Sequence, residues 1–72
     1  MSTYTIFVER AESGANWGAW SPDLNVYATG GSRDEAVAEV TSAISFHIDG
    51  LREAGEPIPP PSAAAVTVEA AA

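Results

Sequence analysis

The hydrophobic pattern changes period along the chain, and each change marks an element. From Thr3 to Glu9 it alternates. Tyr4, Ile6 and Val8 fall on one side, and Thr5, Phe7 and Glu9 on the other, which is the period of a half-buried strand. Phe7 makes the second face less polar than a solvated face should be. The residues from Arg10 to Asn16 include Glu12, Ser13 and Gly14 and read as a turn. Trp17–Ser21 follows as an antiparallel strand. Trp17 and Trp20 are three apart, so a regular strand points one under the helix and leaves the other exposed or beside Phe7. Pro22-Asp23 makes a turn with Leu24 as an apolar plug, and residues 26–29 form a short third strand.

Between Gly30 and Gly55 the period becomes helical. Ser32 and Glu35 form an S-x-x-E capping box, and Asp34 and Glu35 suit the positive end of the helix dipole. Gly55 and Pro57 terminate the helix, which is expected over residues 33–54. Val40, Ile44, Ile48 and Leu51 lie within about 60° of Val37 and form the core stripe, flanked by Ala36, Ala43 and His47. His47 reads as a boundary histidine rather than a ligand. Phe46 lies about 180° from Val37, in a row with Glu35, Glu39, Ser42, Asp49 and Glu53. An aromatic among carboxylates is a candidate partner-binding anchor. The bland alternative is a lone exposed phenylalanine on a solvated acidic face. A proline-rich return follows the helix, with Ile58 able to tuck inward. Val66 and Val68 then alternate in an expected last strand over residues 65–69, and the terminal alanines are expected to fray.

The expected fold is therefore α+β, one domain over residues 1–72, with the order β-β-β-α-β. The last strand is expected beside the first, with one sheet face under the helix and the other open. Phe7, Trp17 and Trp20 are the candidates for an oligomer interface, because a 72-residue chain without cysteine lacks the disulfides that steady small domains. One histidine and no cysteine leave no recognisable zinc site, and neither metal nor cofactor is expected.

Charge narrows the function. Three arginines, no lysine and a formal charge of −7 disfavour nucleic-acid or anionic-membrane binding and favour a basic protein partner. Gly30-Gly31 lacks the spacing and the lysine of a phosphate loop. The N-terminus lacks a basic region followed by an apolar run, so a cytoplasmic location is expected.

Several short motifs occur in a telling order. They are the tyrosine-initiated first strand, Trp20-Ser21-Pro22-Asp23-Leu24, Ala28-Thr29-Gly30, Ser32-x-x-Glu35-Ala36, and Gly55-Glu56-Pro57-Ile58-Pro59-x-Pro61-Ser62. Together, over about residues 4 to 69, they resemble the HicB-like antitoxins. The resemblance implies a truncated ribonuclease H-like fold. It also implies a function, neutralising a small basic HicA-type mRNA-cleaving toxin by covering its active site. Asn25-Val26 replaces the Pro-Gly that often follows Pro-Asp-Leu, so an altered turn is expected. Many members add a DNA-binding domain. The sequence ends at Ala72 without one, so operator binding is not expected. An alternative reading is an orphan, self-associating interaction module. Nuclease chemistry is disfavoured, because Glu9 and Glu69 are isolated on their strands and Asp23 sits in a turn.

Overall fold

The computed structural model describes residues 2–11 and 16–71. Strands β1 (Phe7–Arg10), β2 (Trp17–Ser21) and β3 (Val26–Gly30) precede one helix, α1 (Arg33–Glu53). The strands form an antiparallel sheet in the order β1-β2-β3. The expected turn at Glu12–Gly14 lies outside the described residues. At its base the Ala11 amide donates to the Asn16 carbonyl at 2.8 Å.

The register fixes which side chains share a face. Val8 opposes Ala19, which opposes Ala28. These residues face α1, where Ala19, Ala36 and Val40 are fully buried. Ile6, Trp17, Val26 and Ile44 pack around them. The centre of this core is alanine because the helix lies very close to the sheet. A Cβ on Gly30 would stand 2.5 Å from the Ala36 backbone nitrogen. Only the two residues Gly31 and Ser32 join β3 to α1, so the first helical turn is drawn against the strand. That proximity also shifts the buried stripe. Ala36 was expected at its flank and is its most buried member with Val40, whereas Val37, Ile48 and Leu51 are half-buried.

Both helix ends follow their sequence signals. The Glu35 amide donates to Ser32 Oγ at 3.1 Å, and the Gly31 amide donates to Glu35 Oε1 at 2.8 Å. At the far end Gly55 takes φ +70°, its amide donates to the Arg52 carbonyl, and the Glu56 amide donates to the Leu51 carbonyl. These two bonds make a Schellman motif, which satisfies carbonyls the helix leaves open. The turn between β2 and β3 is closed by Asn25 at φ 54°, with its amide donating to the Ser21 carbonyl at 2.8 Å. Asparagine tolerates the left-handed region better than most side chains. Leu24 is buried as the expected plug.

Two strand expectations need correction. The first strand, expected over residues 3–9, pairs only over Phe7–Arg10. Phe7 pairs with Trp20 and β2 ends at Ser21, so Pro22, which has no amide proton, stands where the ladder would continue. The last strand, expected over residues 65–69, joins no ladder. Val66 and Val68 are 80% and 83% exposed. The preceding segment crosses the end of the sheet rather than running along β1. It is held there by Tyr4 Oη donating to the Pro59 carbonyl at 2.6 Å and Thr5 Oγ1 donating to the Ala63 carbonyl at 3.1 Å.

Candidate functional site

Three surfaces carry residues that packing alone does not explain. The first is the outer side of α1. Glu35, Glu39, Phe46, Asp49 and Glu53 are all exposed there, spread over about 27 Å at 1.5 Å per residue. Phe46 is 83% exposed. Glu35 is occupied by its bond to the Gly31 amide, so it serves the helix cap. Asp49 lies 3.4 Å from Arg52, an exposed pair one turn apart that adds little to stability. Glu39 and Glu53 have no ion-pair partner among the described residues. His47 was expected at the boundary and is exposed.

The second surface is the open face of the sheet. The register aligns Phe7, Trp20 and Tyr27 in one row across the three strands. The rings of Phe7 and Trp20 have centroids 5.4 Å apart and are tilted by 39°. Tyr27 leans over Gly18, where a Cβ would meet its hydroxyl at 2.5 Å. Glycine at that position lets the ring lie on the backbone. Trp17 does not join this row. It faces α1 at the core margin, with the Arg10 guanidinium 5.2 Å from its ring centroid. The two tryptophans thus divide between the faces, as their spacing predicts. Of the three candidate interface residues, only Phe7 and Trp20 form one patch.

The third surface joins the two most telling motifs. Asp23, from Pro22-Asp23-Leu24, accepts hydrogen bonds from the Ser62 hydroxyl at 2.8 Å, the Ser62 amide at 3.2 Å and the Ala63 amide at 3.1 Å. The carboxylate clamps the end of the proline-rich return to the β2–β3 turn. Sequence reasoning gave Asp23 only a turn. The available clue was a carboxylate in one loop and a serine after a proline run, whose amides have no helix or ladder to join.

These bonds hold the Asp23 carboxyl below its ordinary value of 3.8, chiefly through the Ser62 hydroxyl and then the Ala63 and Ser62 amides, against an opposing desolvation. The ionised form is the bonded form. The clamp is therefore complete above the ordinary carboxylate range and is lost as pH falls through the depressed folded value. Asp23→Ala is expected to release the segment while leaving the sheet and α1 folded. Hydrogen exchange then finds the Ser62 and Ala63 amides exchanging like those of an open chain. Retained protection would show that Asp23 does not hold the segment.

Among the described residues, no group of three or more His, Cys, Asp and Glu side chains could hold a metal ion. No helix is long and apolar enough to cross a membrane among the described residues. The model of a family described as the HicB-like antitoxin of bacterial toxin–antitoxin systems matches residues 4–71. No curated protein and no solved structure matches the chain.

Proposed function

Because the chain belongs to the HicB-like antitoxin family of bacterial toxin–antitoxin systems, we propose that it neutralises a basic HicA-type mRNA-cleaving toxin by binding it, without catalysis of its own. The observation that carries this reading is the outer side of α1, where exposed Phe46 stands in a row of carboxylates. An aromatic that can insert into a pocket supplies affinity, and the surrounding carboxylates steer a basic partner toward it. The partner-binding set is Glu39, Phe46, Asp49 and Glu53, with Glu35 at its margin. A net charge of −7 makes the long-range field favourable for the same partner.

The test is co-expression with a small basic HicA-type toxin. The expected result is rescue of growth and recovery of a complex on co-purification. Toxicity unchanged by the chain, with no complex recovered, would overturn the reading.

A self-associating form of the same protein is favoured by a separate observation, the Phe7–Trp20–Tyr27 row on the open sheet face. Phe7 and Trp20 are large apolar residues, 37% and 39% exposed, with no covering layer among the described residues. This row and the outer side of α1 belong to opposite layers of the fold, so one can serve a second copy while the other serves the toxin.

A further inference from the structure

The arm after Ala63 is the largest feature that the fold leaves unused. Its eight residues, from Ala64 to Ala71, are all exposed, and Val66 and Val68 alternate on one side as strand residues do. The arm is not a loose tail from its root. Asp23 and Thr5 fix Ser62 and Ala63 to the end of the sheet. Its projection enlarges the molecule. The radius of gyration is 14.0 Å, where a compact domain of this length has about 11 Å.

A second unpaired segment lies on the same chain. β1 is an edge strand, and the strand-patterned residues Thr3–Ile6 that lead into it belong to no ladder. Thr3–Arg10 therefore offers a backbone edge of eight residues, about 26 Å long, that matches the eight residues of the arm, although the Tyr4 and Thr5 side chains already hold the return segment of their own chain. Open edges of this kind accept a strand from another chain.

We propose that the arm is exchanged between two copies of this chain, each copy laying residues 64–71 along the Thr3–Arg10 edge of the other. Charge selects the second copy as the occupant. Five of the ten acidic residues lie on α1, so two copies repel each other through their helices. The arm carries one charge, Glu69, and the edge carries Glu9 and Arg10. This is a surface on which two chains of −7 can meet. A toxin drawn by negative charge gains nothing from it. Exchange is also self-complementary, because the one contact made twice closes a two-fold dimer with both arms paired.

The inference does not depend on the identity of any toxin. It extends the self-association reading and is separable from it. Sedimentation of the full chain is expected to give a dimer. In the variant Val66→Asp with Val68→Asp, dissociation is expected to rise about a hundredfold or more, with the helical circular dichroism signal unchanged because neither residue belongs to the core that holds α1. In a mixture of isotope-labelled and unlabelled chains, filtered NMR is expected to show the Val66 and Val68 methyls touching Thr3–Val8 of the other copy. A monomer would overturn both exchange and self-association. A dimer that ignores the double variant, or valine contacts only within one chain, would overturn exchange and leave the open aromatic face as the dimer surface.

Discussion

Gly30→Ala is expected to lower the stability of the domain by about 3 kcal/mol, the upper end of the usual range for overpacking, and its melting temperature by about 12–24 °C. The added Cβ would stand 2.5 Å from the Ala36 nitrogen, 2.9 Å from the Glu35 carbonyl carbon and 3.0 Å from the Ala36 Cα. All three are backbone atoms. No side chain can rotate away, so α1 must lift from β3 and open the contact among Ala19, Ala36 and Val40. A chain this long commands only about 4–11 kcal/mol in total, so the loss is a large share. Two other glycines, Gly31 and Gly50, serve as controls. At Gly31 a Cβ would meet only Glu35 Oε1 at 3.7 Å, and at Gly50 it would meet nothing within 4 Å. Gly31→Ala is expected to change little, and Gly50→Ala to stabilise the helix by about 0.5–1 kcal/mol. Thermal melts followed by circular dichroism order the four proteins. Equal melting temperatures for Gly30→Ala and Gly31→Ala would mean that the helix does not sit this close.

The same short distance explains what the sequence disclosed and what it concealed. The capping box at Ser32 and Glu35 and the stop at Gly55 are local, set by residues within one turn, and both were readable directly. The three antiparallel strands followed from alternation and turn residues. The rotation of the core stripe toward Ala36 was hidden, because a 100° wheel centres on bulky residues and cannot know that a neighbouring strand leaves room only for a methyl group. The fate of residues 64–71 was hidden for another reason. Alternating valines mark a segment fit for pairing, but the partner is a property of tertiary or quaternary structure. Asp23 was hidden because its partners are 39 and 40 residues away. The two motifs that looked like separate family marks are one contact in space. The assignment of Trp17 and Trp20 to opposite faces was legible from spacing, but not which tryptophan took which face. That depended on the register with Arg10 and Phe7.

The outer side of α1 can be tested without disturbing any of this. Phe46→Ala is expected to change stability by less than about 0.5 kcal/mol, because an exposed side chain loses few contacts when truncated. The same substitution is expected to weaken toxin binding by about 2 kcal/mol, or roughly thirtyfold, as for an aromatic anchor at the centre of an interface. Glu39→Arg, at a carboxylate two turns before Phe46 that has no ion-pair partner among the described residues, is expected to act differently. It replaces attraction toward a basic partner with repulsion, so it should mainly slow association, and its effect should shrink as salt is added. Phe46→Ala should mainly speed dissociation and depend little on salt. Surface plasmon resonance at two ionic strengths separates the two signatures. Calorimetric unfolding of each variant checks that neither acts through the fold. Unchanged affinity in both variants would move the toxin to another face, and the open sheet face with Phe7, Trp20 and Tyr27 would be the surface to test next. Loss of binding in both, with the two signatures distinct, would identify α1 as a helix whose inner side holds the sheet and whose outer side holds the toxin.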